Sequence, residues 1–217
     1  MTRTCIFLIY LILQSITLPA QSKQSESQVL WITKANGDSI KVLGQLITLQ
    51  PDSALVTVYS IKNGRSKRLQ QFKTLSSFPL KLKSSSFDNR KGFLLVYDPV
   101  ARWGNSFLYL LDETNNTFRE VKGFRELGII TPVTGSSGLF YSYMNCGCAD
   151  NCWKSMLFTI KQYKIQTHAE LGCNCYTLVT KNITIALPDS CDSFNDDHKF
   201  EKIDRFWKTT VKRGIKK

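Results

Sequence analysis

In "ALVTVYSI" the side chains alternate with a period of two. Leu55, Thr57, Tyr59 and Ile61 fall on one face, and Val56, Val58 and Ser60 on the other. Both faces are partly apolar, as expected of a strand covered on both sides. The flanking runs "VLWITK" and "SIKVLGQLITLQ" are also β-rich. Asn36-Gly37 punctuates one pair of runs and Asn63-Gly64 another. Asn-Gly predicts type I′ hairpin turns, because both central residues then need positive φ.

The pattern continues through "GFLLVYD", "SFLYLLD", "TFREV", "GLFYSYMN", "SMLFTIKQ", "YKIQTHAEL" and "YTLVTKNITIAL". Strands about ten residues apart with turn residues between them suit a sandwich, barrel or propeller. No helical period separates them, so parallel βαβ units are not expected. One helix is expected near the end. In "DDHKFEKIDRFWKTTVKRG", Phe200, Ile203, Phe206, Trp207 and Val211 form an apolar stripe, with Asp196 or Asp197 as its cap and Gly214 as its stop. The expected fold is mainly β, with antiparallel sheets in a propeller-like or sandwich-like arrangement and one C-terminal α-helix packed on the sheets.

The first twenty residues change the picture. Arg3 precedes the apolar run "CIFLIYLILQSITL", and "LPA" ends at Ala20. The run is shorter than the ~20 apolar residues of a spanning helix, so it reads as a removed secretory signal rather than an anchor. Cys5 lies before the apolar run, so no lipid anchor is expected. Residues 21–28 read as a flexible leader and 29–217 as a single β-rich domain. The expected location is the periplasm or the exterior, in soluble form.

The whole chain carries +12, from 29 Lys and Arg against 17 Asp and Glu, and loss of Arg3 leaves +11. Such a balance bears on solubility and on anionic partners. The basic residues are scattered, except in "KNGRSKR" and in the terminal "KTTVKRGIKK". No aromatic-interleaved basic strip appears along the chain, so no nucleic-acid partner is expected.

The stretch "FDNRKGFLLVYD…NSFLYLLDETNNTFREVKGF" resembles one unit of the FG-GAP or VCBS-like repeats of propeller proteins and secreted bacterial relatives. "FYSYMNCGCADNCWKSMLFTI" followed by "LGC" is similar to a pattern in largely uncharacterised exported bacterial proteins. Together the two matches cover roughly residues 86–175, leaving the N-terminal third unmatched. Neither implies an activity. The repeats' calcium turn has the form D-x-N-x-D-G-x-x-D. With Gly92 as its glycine, only Asn89 fits, while Phe87, Lys91 and Leu95 stand at acidic positions. Calcium needs several oxygen ligands, so no ion is expected there. Asp189, Asp192, Asp196 and Asp197 also lack calcium-loop spacing and read as turn and cap residues.

Seven cysteines are present, and loss of Cys5 leaves Cys146, Cys148, Cys152, Cys173, Cys175 and Cys191. An even count after an export signal predicts disulfides and no free thiols, because that space is oxidising. Spacing leaves all fifteen connectivities open. A zinc cage is the alternative, but no C-x2-C knuckle is present. A redox C-x-x-C is also absent. A nucleophilic cysteine would need a positioned histidine, and only His168 and His198 are available. The resemblance to the exported proteins implies that Cys148 pairs with Cys173. Trp153 is expected to cover the bridges, with a ligand groove as its other reading.

No G-x-S-x-G, H-E-x-x-H or phosphate loop is present. The expected function is therefore a non-enzymatic exported binding or structural protein, without cofactor or metal. The alternative is an inhibitor or immunity protein against a cell-wall hydrolase. Ser137, Gly138 and Tyr141 are similar to the S-G-x-x-Y loop of periplasmic lysozyme inhibitors, although a basic protein repels a basic lysozyme. A carboxylate-pair glycosidase is the third class considered. Expected partners are anionic envelope polymers or lipid headgroups, met by Lys208, Lys212, Arg213, Lys216 and Lys217.

Overall fold

The computed structural model describes residues 26–214 apart from 35, 48–49, 77–78, 97–105, 148–151, 176, 184–190 and 195–196. The secretory signal, Cys148, Asp189, Asp196, Lys216 and Lys217 lie outside the described residues. Three antiparallel sheets follow one another along the chain. The first comprises β1 (Ser27–Thr33), β2 (Ser39–Ile47), β3 (Gln50–Lys62) and β4 (Arg65–Leu75). The second comprises β5 (Lys81–Phe87), β6 (Arg90–Val96), β7 (Ser106–Asp112) and β8 (Thr117–Glu120). The third runs from β9 (Ile129–Pro132) through β10 (Leu139–Gly147), β11 (Cys152–Lys161) and β12 (Lys164–Asn174) to β13 (Thr177–Lys181). Each is a meander in which consecutive strands are neighbours, and none closes into a barrel. One helix, α1 (Lys199–Lys212), follows. The mainly β, sandwich-like expectation with a C-terminal helix holds.

The layers stack in chain order. Ile40, Val42, Val56 and Val58 of the first sheet meet Phe93, Leu95, Tyr109 and Phe118 of the second. The reverse face of the second sheet presents Leu108, Leu110 and Val121 to Phe140, Phe158 and Ile160 of the third. The other side of the third sheet, with Trp153, Leu157 and Leu171, takes Ile203 and Trp207 of α1. The run "SFLYLLD" explains the middle layer. Its apolar residues occupy both phases of the strand period, so β7 is buried on both faces. Each such side chain contributes about 1.5–3 kcal/mol by leaving water.

Turns follow the local chemistry, with differences from expectation. Asn63 (φ 50°) and Gly64 (φ 72°) form the expected two-residue hairpin between Lys62 and Arg65. The turn at Gly37 (φ 85°) is wider: the Lys34 amide bonds Asp38 O, and the Gly37 amide bonds Lys34 O. Asp88 (φ 51°) and Asn89 (φ 61°) close β5 onto β6, so Gly92 lies within β6 and outside the turn. A Cβ at Gly92 would meet the Tyr109 carbonyl, which explains a glycine there. β1 already includes Ser27 and Gln28, two residues placed in the flexible leader by sequence. The helix caps at His198 without a side-chain hydrogen bond, so Asp197 does not cap it.

Candidate functional site: a basic cleft at the tips of the first sheet

The cysteines expected to form one stapled corner behave differently from one another. Cys173 and Cys191 are bonded, with Cα atoms 5.8 Å apart. The implied Cys148–Cys173 pairing is thereby corrected. Cys173 faces the helix side of the third sheet, where the turn containing Cys191 docks. Cys175 is also disulfide-bonded. Cys152 carries a free thiol and is half-buried, against the expectation of complete oxidation. Alternation puts Cys152 on the opposite face from Trp153, away from Cys173. The side chain of Cys146 is outside the description. Among the described residues, no three His, Cys, Asp or Glu side chains converge as a metal set.

Trp153 is 1% exposed, so its indole is not open to solvent. It pairs in register with Cys173 and its ring lies 5.5 Å from that of Phe194, close to Cys191. That is the covering position. On the opposite face of β11–β13, Cys152, Lys154, Gly172, Val179 and Lys181 line a trough of about 350 Å³. Its only carboxylate is already engaged. Burial alone would raise the pKa of Glu170, but Lys154 at 3.2 Å and Lys181 at 3.4 Å hold it below the usual range.

The residues of the inhibitor-like loop are not presented together. Ser137 is exposed in a turn. Gly138 sits against the Asp88 carboxylate, which a Cβ would meet at 2.9 Å. Tyr141 is buried in β10, and its hydroxyl is 3.1 Å from Asp204 Oδ1 on α1. Burial pushes its phenol pKa up, Thr131 opposes that shift, and Asp204 adds to it. Tyr141 therefore joins sheet to helix. Of the expected basic end, Lys208, Lys212 and Arg213 are among the described residues. Lys208 is paired with Asp204 at 2.5 Å, leaving Lys212 and Arg213 exposed.

A denser positive site lies at the other end of the stack. The tips of the two hairpins of the first sheet meet the β7–β8 turn of the second through Lys34 and Asn116. Residues of these tips and of that turn line a cleft of about 670 Å³. Lys34, Lys62, Arg65 and Lys67 line it together with Asn116, and Asp38 is the sole acidic residue of the lining. Register explains the gathering, because Lys62 pairs with Arg65 and Ser60 with Lys67 across β3 and β4. Lys34 Nζ donates to Asn116 Oδ1 at 2.6 Å, fixing the cleft to the β7–β8 turn. Four cations against one carboxylate leave a net attraction for anions. Three of the four come from "KNGRSKR", a cluster visible in sequence. Lys34 and Asn116 carried no local signal.

No protein-family model matches the chain, and no curated protein sequence matches it. Among solved structures, a Xanthomonas type IV secretion system related protein is similar at 10% identity with a TM-score of 0.40. The alignment covers 70% of this chain and 84% of that one. A likeness of that size carries no statement about what this chain does.

Proposed function

We propose that this is a non-enzymatic exported protein that binds an anionic component of the cell envelope. The observation that carries this reading is the cleft, with Lys34, Lys62, Arg65 and Lys67 around a single Asp38. Export is supported by the apolar leader with its Ala20 exit and by the Cys173–Cys191 bond, since disulfides persist in oxidising compartments. No helix among the described residues is long and apolar enough to cross a membrane. Attraction at an exposed basic cleft is screened beyond ~8 Å at physiological ionic strength, so binding weakens with salt.

The test is retention of extracted envelope polymers and lipids on the immobilised protein at low and high salt. Retention at low salt only is expected. The combined Lys62→Ala, Arg65→Ala and Lys67→Ala variant should weaken it, and a Lys208→Ala, Lys212→Ala variant should leave it unchanged. Absence of retention at either salt overturns the reading. So does chemical turnover of the retained material.

A further inference from the structure

The first sheet ends the stack, and its outer face meets no other element in the described cores. Strand register builds an ordered row on that face. Trp31 pairs with Lys41, Lys41 with Tyr59, and Tyr59 with Arg68. Each residue comes from a different strand, giving an aromatic, a cation, an aromatic and a cation side by side. Trp31 is 56% exposed and Val29, in the adjoining row, is 45% exposed. Lys73 lies further along the edge strand, opposite Leu55. None of the sixteen register positions on this face, from Ser27 across to Ser66, is Asp or Glu. Strands lie about 4.8 Å apart, so the backbones bearing Trp31 and Tyr59 are separated by about 10 Å, with Lys41 between them.

Flat rings with apolar faces stack on flat, partly apolar ligand surfaces, and cations between them select an anionic ligand. A lipid surface fits poorly, because cations alternate with the rings along the row and the hydrogen-bonded pair Gln71 and Thr57, 3.1 Å apart, lies beside it. A second copy of this chain would bring Lys41 and Arg68 against like charge. Sugar rings offer C–H faces for stacking, and acidic sugars carry a carboxylate on the ring edge, where Lys41 and Arg68 reach. The Cys173–Cys191 bond points to an oxidising compartment, where acidic polysaccharide is a suitable anionic polymer and nucleic acid is not.

We propose that the Trp31–Lys41–Tyr59–Arg68 row binds an acidic polysaccharide laid across the strands of the first sheet. The proposal rests on the envelope-binding reading and names its ligand. The rings hold consecutive parts of the sugar chain, and the cations pair with its carboxylates. Binding here uses the face opposite the cleft, so the two can be separated by mutation.

The experiment titrates the full mature chain with polygalacturonate and follows tryptophan fluorescence. Dextran, inorganic polyphosphate and an oligo-dT strand serve as comparison probes. Saturable quenching by polygalacturonate, absent with dextran, is expected. Trp31→Ala should abolish the quenching and, with Tyr59→Ala, weaken binding about ten-fold or more by a label-free assay. Lys41→Gln with Arg68→Gln should flatten the salt dependence, and the triple cleft variant should still bind. All four changed side chains lie on the sheet surface, and unchanged thermal melting confirms the fold. Equal binding of polyphosphate, unaffected by Trp31→Ala, overturns the row while leaving the cleft reading intact. Preferential binding of oligo-dT overturns it in favour of a nucleic-acid surface. Concentration-dependent dimerisation lost in Trp31→Ala overturns it as a contact between copies. If no anionic probe binds, the envelope-binding reading falls as well.

Discussion

The indole N–H of Trp207, at the centre of the buried face of α1, donates to the hydroxyl of Ser155 in β11 at 2.7 Å. Ser155 in turn donates to the carbonyl of Ser142 in β10 at 2.5 Å. Helix and sheet are thus joined by a polar chain inside an apolar layer, where Trp207 and Ser155 are both fully buried. The pairing fixes where along the sheet the helix can sit.

Ser155→Ala removes the acceptor and strands the indole N–H in the core. Leaving a buried donor unmatched costs about 1–3 kcal/mol. Denaturant unfolding should show a lower midpoint with an unchanged slope. Trp207→Phe in the Ser155→Ala background should cost less than the sum of the two changes, because both remove one interaction. Strict additivity would sink this account.

Burial pushes the phenol of Tyr109 from 10.0 up to about 12, although its hydrogen bond to Thr74 lowers it; Glu120 adds to the rise. Its neutral form is favoured in the folded state. Below the unfolded pKa near 10 the group is neutral in both states and its stability contribution is fully present. Between about 10 and 12 the unfolded chain loses the proton first, and stability falls by up to about 3 kcal/mol. Tyr109→Phe should therefore flatten the alkaline limb of a stability–pH curve. An identical limb in the variant would assign alkaline unfolding to other groups.

Peptide mapping without reductant should recover Cys173 joined to Cys191, and native protein should accept a thiol reagent at Cys152. Cys173→Ser with Cys191→Ser should lower stability by about 2–5 kcal/mol. Recovery of Cys152 in a bridged peptide would contradict the free thiol.

Gly92 pairs with Leu110 in the buried middle sheet, and a Cβ there would press on the Tyr109 carbonyl. Gly92→Ala should cost about 1–3 kcal/mol by overpacking. Gly64→Ala, where a Cβ meets nothing within 4 Å, tests backbone strain alone at φ 72°. Equal costs at both positions would remove the packing argument.

The strands that could be read from sequence are those whose apolar residues declare their phase, such as β7 and β11. β5, "KLKSSSF", was missed because Leu82 is its only fully buried side chain. β9 was missed because four residues are too few to show a period. The helix stripe was legible through Ile203 and Trp207, while Phe200 marks its rim: it is 49% exposed and stands edge-on to Tyr143 at 4.7 Å. The Cys173–Cys191 bond was not legible, because sequence spacing does not report which face of a sheet a turn docks on. The basic cleft was half legible. "KNGRSKR" is a run, but Lys34 and Asn116 join it through hairpin register and sheet stacking. The aromatic and basic row was invisible for the same reason, since each of its four members stands on its own strand.

The double-sided burial of β7 has a consequence for synthesis. Every sheet is built from one continuous stretch, so each can pair its strands as soon as that stretch emerges. A nascent chain that has delivered the first two sheets still lacks the partner for Leu108, Leu110, Val121 and Phe124. Until residues 129–181 arrive, that surface is a sticky, half-finished interior open to other chains. A fragment ending near residue 127 should therefore pair its strands and aggregate, and prompt delivery of the third sheet is what keeps the chain out of that fate.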